Sequence, residues 1–101
     1  MNTYGFIGTF KTVAGKRDEF IAILLQAATA MHTVKGCRQY LVSKDTADEN
    51  AVIVTELWDT KEDHDNALKT NDSAELISKA IPLMNGKPES KVLEVLGGKE
   101  F

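Results

Sequence analysis

A chain of 101 residues with 43% hydrophobic and 27% charged residues has the size and composition of one soluble globular domain, residues 1–101. A net charge of −3 with no cluster of Lys and Arg argues against nucleic acid as a partner, because phosphate neutralisation needs a basic face. No apolar run approaches the ~20 residues of a membrane span, and MNTYGFIGTFKT lacks the charged start and apolar core of a secretion signal, so the expected location is cytoplasmic with no membrane partner.

Thr3 to Thr12, TYGFIGTFKT, alternates Tyr4, Phe6, Gly8 and Phe10 with Thr3, Gly5, Ile7 and Thr9 and reads as a strand whose glycines mark a bulge or a close approach. After the loop Val13 to Lys16, Arg17 to His32 forms the longest helix, with Phe20, Ile23, Leu24, Ala27, Ala28 and Met31 as its buried stripe. Gly36 suits a left-handed helix end. Arg38 to Ser43 and Ala51 to Trp58 are strands joined by a polar turn into a hairpin.

Ala51 to Trp58 is apolar on both faces, as a central strand should be, except for Glu56. Thr60 is the expected N-cap of a following helix, with Glu62 and Asp63 in its first turn, and His64 falls on the same side as Ala67 and Leu68. A second cap is expected at Asp72 or Ser73, leading a short amphipathic helix that Pro82 stops. Lys91 to Leu96 is the last strand, followed by a tail from Gly97 to Phe101.

The element order is βαββαβ with the second helix broken, which predicts a ferredoxin-like α+β fold: an antiparallel four-stranded sheet with helices on one face. The opposite face is also apolar along the first and third strands, so a homodimer through that face is expected. Sequence alone does not say whether Ile7, Ile53 and Leu57 or the alternate set faces outward.

The run ELWDTKEDHDNAL from Glu56 to Leu68, with a short helix and PLMNG from Pro82 to Gly86, resembles the antibiotic biosynthesis monooxygenase (ABM) family, in particular its small quinol monooxygenase type. The resemblance implies a dimeric α+β barrel in which two sheets pack face to face. It also implies a cofactor-independent monooxygenase acting on a quinol-like or polycyclic aromatic molecule. Haem-degrading members of the family carry a first-strand asparagine and a longer interval between tryptophan and histidine, whereas this chain has Tyr4 and Phe6 on that strand and a short interval.

The candidate catalytic residues are His64, Trp58 and Glu56. Imidazole titrates near neutral pH and suits a base or proton shuttle, Trp58 a ring-packing wall, and Glu56 a carboxylate that orients His64. Each has a plainer alternative: a helix histidine bonded to a carboxylate, a core tryptophan and a salt-bridged strand glutamate. Tyr4, Phe6, Phe20, Tyr40, Leu68 and Leu83 are the candidate substrate-binding wall. Cys37 stands alone, His32 suits a helix end, and no Cys/His spacing predicts a metal. No nucleotide, flavin or haem signature is present, so no cofactor is expected; a substrate anion can itself reduce dioxygen. The alternative function is a non-catalytic dimer of the same fold that binds a small molecule.

Overall fold

A computed structural model describes residues 3–99. Strand β1 (Thr3–Lys11) is followed by helix α1 (Arg17–Ala30), strands β2 (Cys37–Lys44) and β3 (Ala51–Trp58), helices α2 (Lys61–Ala67) and α3 (Asn71–Ala80), and strand β4 (Glu89–Val95). The strands form one antiparallel sheet in the order β2-β3-β1-β4, which is the expected ferredoxin-like α+β plan.

The element boundaries differ from the sequence expectations at strand and helix ends: β2 extends one residue beyond Arg38–Ser43 on each side, and β4 starts two residues earlier and ends one earlier than Lys91–Leu96. The first helix gives way at Met31–Thr33 to a 3-10 turn. The N-cap of α3 is Thr70, not Asp72 or Ser73: its hydroxyl accepts from the Ser73 backbone N–H, so the helix starts earlier. Pro82 lies in a 3-10 turn, Ile81–Leu83, directly after α3.

Register fixes the faces. Tyr4 pairs with Trp58, Phe6 with Glu56, Gly8 with Val54 and Phe10 with Val52, and this set lies under the helices. The hydrophobic core is its Phe10 end: Phe20, Leu24, Val52, Val54 and Ala80 are buried together, with Phe10, Tyr40, Val42, Leu83 and Met84 packed around them. Ile7, Ile53 and Leu57 occupy the face opposite the helices and are only half-buried, joined there by Leu41 at 53% and Leu93 at 37% exposure.

The glycines of β1 are explained by close approach, since the ladder carries no bulge there. A Cβ on Gly8 would lie 3.1 Å from the Phe10 ring and 3.3 Å from the Phe6 ring, so the two aromatics close tightly over this strand position and a side chain there would press on them. The register shift of the sheet is instead in β2, between Cys37 and Gln39.

Candidate active site

The site is built where β3 runs into α2. Thr60 is extended, and its hydroxyl accepts from the Asp63 N–H at 3.1 Å, satisfying one of the helix's open donors. The start of α2 is also docked on the turn before β2. The Asp59 N–H donates to the Gly36 carbonyl at 2.8 Å, and Gly36 has φ +82°. A Cβ at Gly36 would overlap the Asp63 carboxylate, so a side chain is excluded on two counts.

This docking turns His64 inward, where it is 7% exposed. Its ring meets Tyr4 at 5.1 Å, Phe6 at 5.0 Å and Trp58, edge on, at 5.7 Å between centroids. Trp58 is itself 1% exposed and donates its indole N–H to Glu56 Oε1 at 2.9 Å. Glu56 Oε1 lies 3.9 Å from His64 Nε2, beyond hydrogen-bonding distance. Trp58, rather than His64, is therefore the direct partner of the carboxylate.

Burial, the largest influence on Glu56, pushes its carboxyl above the usual carboxylate range; the Trp58 N–H and His64 oppose this. Tyr40, the register partner of Glu56 on β2, has its hydroxyl pushed up by burial and then by Glu56 and Cys37. Burial and then Glu56 also raise Cys37, which keeps it a thiol rather than a nucleophilic thiolate. The result is an apolar, ring-walled corner containing one carboxylate and one imidazole. Such a corner can accept a proton from a hydroxyl.

The structure brings together His64, Trp58, Glu56, Tyr4 and Phe6, with Tyr40 beside Glu56. Phe20 and Leu83 lie elsewhere: Phe20 meets the Phe10 ring at a tilt, 5.4 Å between centroids, and both Phe20 and Leu83 belong to the core packing. Leu68, at the end of α2, is 53% exposed. Asp65 belongs to the family-like run but was given no site role, yet its Oδ1 lies 3.0 Å from His64 Nδ1. Among the described residues, no group of three or more His, Cys, Asp or Glu side chains is placed to hold a metal ion, and no helix is long and apolar enough to cross a membrane.

Of two cavities, one of about 220 Å³ is lined by Phe6 and Glu56 of this corner together with Ile7, Thr55, Leu57 and Leu93 of the other sheet face. The other, about 530 Å³ and open to solvent, is bounded by Arg17 and the β2–β3 turn from Lys44 to Glu49. Arg17 there donates to the Asp48 carbonyl at 2.9 Å, which fastens the turn to α1.

The family model for antibiotic biosynthesis monooxygenases matches residues 3–78. A solved structure from Chloroflexus aurantiacus J-10-fl, named as a candidate antibiotic biosynthesis monooxygenase, is 33% identical over 95% of both chains with a TM-score of 0.86. Structures so named from Caulobacter crescentus CB15 (23% identity, TM-score 0.88, 95% of this chain and 92% of that one) and Nitrosomonas europaea (13%, 0.89, 93% and 90%) share the fold. No curated protein matches. By the family model and the 33% identity with the Chloroflexus protein, this chain belongs to the antibiotic biosynthesis monooxygenase family.

Proposed function

We propose that the protein is a monooxygenase that acts on an electron-rich hydroquinone or polycyclic phenol without a cofactor of its own. The observation that carries this reading is a buried imidazole and carboxylate 3.9 Å apart inside an aromatic corner. His64 accepts the substrate hydroxyl proton, and Trp58 packs against the substrate ring. Glu56 keeps the corner able to hold a proton. The resulting anion gives electrons to dioxygen; one oxygen atom enters a ring carbon and the other leaves as water. For a simple hydroquinone the product is the hydroxyquinone, and the substrate supplies all four electrons. The protein's share of the work is to bind, deprotonate and exclude bulk water.

The same reading includes a homodimer through the sheet face that carries Ile7, Ile53 and Leu57. Permanent dimers of this kind bury ~2,000 Å² or more around an apolar centre. Sedimentation is expected to give twice the 11.1 kDa chain mass, with an unfolding midpoint that rises with protein concentration. A monomer at micromolar concentration would remove the dimer from the proposal.

The test of the activity is oxygen uptake by the purified protein on a panel of hydroquinones, with mass spectrometry of products formed under ¹⁸O₂. Incorporation of one labelled atom supports monooxygenation. Unlabelled quinone with peroxide indicates oxidation without oxygen transfer. Ligand-dependent thermal shifts with no product support the binding protein instead.

A further inference from the structure

Asp65 joins His64 to the protein surface. Its Oδ1 lies 3.0 Å from His64 Nδ1, and its Oδ2 lies 2.5 Å from Lys61 Nζ, one helical turn earlier. Lys61 is 69% exposed and Asp65 39%, so the pair stands at the rim while the imidazole is buried. Hydrogen bonding to Lys61, and then to His64, holds the Asp65 carboxyl below the usual carboxylate range.

An ionised carboxylate only accepts, so the ring nitrogen facing it must donate. A neutral imidazole has a single N–H, and placing it on Nδ1 leaves a lone pair on Nε2. Nε2 is the nitrogen turned towards Glu56. A hydroxyl oxygen set beside the Glu56–His64 pair can lie about 2.8 Å from both atoms, since they are 3.9 Å apart.

We propose that Asp65 is a positioning residue that locks His64 in its Nδ1–H tautomer, so that Nε2 is the atom that takes the proton from a substrate hydroxyl. The substrate proton rests on the function proposed above; the tautomer does not. The charged and titratable groups around the imidazole are Asp65 and Lys61 on α2, Glu56 on β3 and Tyr4 on β1. Glu94 of β4 is the register partner of Tyr4, and Tyr40 and Cys37 of β2 lie within the influence of Glu56.

The test is ¹⁵N NMR of histidine-labelled full-length protein at a pH where His64 is neutral, comparing wild type, Asp65→Asn and Asp65→Ala, with the exposed His32 as internal reference. The wild type is expected to show Nδ1–H for His64. Asp65→Asn keeps an acceptor oxygen and should keep that tautomer, whereas Asp65→Ala should shift the majority to Nε2–H. Oxygen uptake should follow the tautomer: a kcat about tenfold lower in Asp65→Ala at nearly unchanged KM, largely restored in Asp65→Asn. An Nε2–H tautomer in the wild type, or an Asp65→Ala spectrum like wild type, overturns the assignment. Loss of rate in Asp65→Ala with the Nδ1–H tautomer intact also overturns it. If the wild type consumes no oxygen, the proposed function fails while the spectra still decide the role of Asp65.

Discussion

The two ends of one strand face make the instructive comparison. Val52 and Val54 lie under α1 and α3 in one apolar cluster with Phe20, Leu24 and Ala80. Two and four residues on, Glu56 and Trp58 occupy the same face under the seven-residue α2. There the burial continues but the chemistry changes, because a carboxylate and an imidazole replace aliphatic side chains. The first end holds the fold together. The second accepts an unfavourable buried acid, a cost that a purely structural corner would avoid with an apolar residue.

The comparison can be broken first at the core end. Phe20→Ala should destabilise the protein by about 3–5 kcal/mol, the usual cost of emptying a buried aromatic site. Urea titration measures this loss. Oxygen uptake per folded molecule should stay near wild type, and a specific loss of turnover would return Phe20 to the substrate wall.

Next in size is the joint that docks α2. Gly36→Ala places a side chain at positive φ and against Asp63 and is expected to cost about 1–3 kcal/mol. Because α2 carries His64, this variant should lose activity well below its unfolding temperature, which Phe20→Ala should not. Thr60→Ala removes the N-cap of the same helix and should cost about 1 kcal/mol by thermal unfolding. A loss near zero would mean that α2 is held by docking and not by its cap.

Glu56 is 11% exposed and its folded carboxyl titrates above its ordinary value of 4.5, so its ionised form disfavours folding. Its favourable contribution is complete below pH 4.5 and disappears as pH rises through the folded value. Glu56→Gln keeps an oxygen for the Trp58 N–H, so it should melt higher than wild type at pH 8 and lose that advantage at pH 4. A variant less stable at pH 8 would mean that the ionised carboxylate is held by stronger partners than the Trp58 N–H.

Much of this architecture was legible in sequence because it rests on short-range periodicity. Ala51–Trp58 was bounded correctly by its β-branched run, and Thr60 was identifiable as a cap by its place before Glu62 and Asp63. Gly36 was identifiable as a left-handed residue, but it lies in the turn before β2 and not at the helix end, where an extended Val34 is the cap. The inward turn of His64 followed from its spacing to Ala67. Which set of β1 and β3 residues faces the helices was not legible, since both are apolar and only the register decides.

Phe20 and Leu83 were grouped with His64 because aromatic and aliphatic side chains look alike in sequence whether they line a corner or fill a core. Distance along the sheet separates them. Asp65, though within the family-like run, was given no role for a different reason. Adjacent helical residues point about 100° apart, so spacing rules that seek pairs three or four apart pass over a contact between neighbours. The Glu56 partner was misjudged similarly: an alternate-residue bond to Trp58 along the strand takes the oxygen that the imidazole was expected to share.

Under the proposed function the reactive centre lies at the Trp58 end of the sheet and not in the larger open cavity beside the β2–β3 turn. The most direct measurement is kcat for oxygen uptake, on whichever hydroquinone the wild type turns over fastest, in His64→Ala and in Lys44→Ala from that cavity. The account predicts a fall of about a hundredfold or more for His64→Ala, the size of a lost general base, and wild-type turnover for Lys44→Ala. Wild-type turnover by His64→Ala, or its loss in Lys44→Ala, would contradict it.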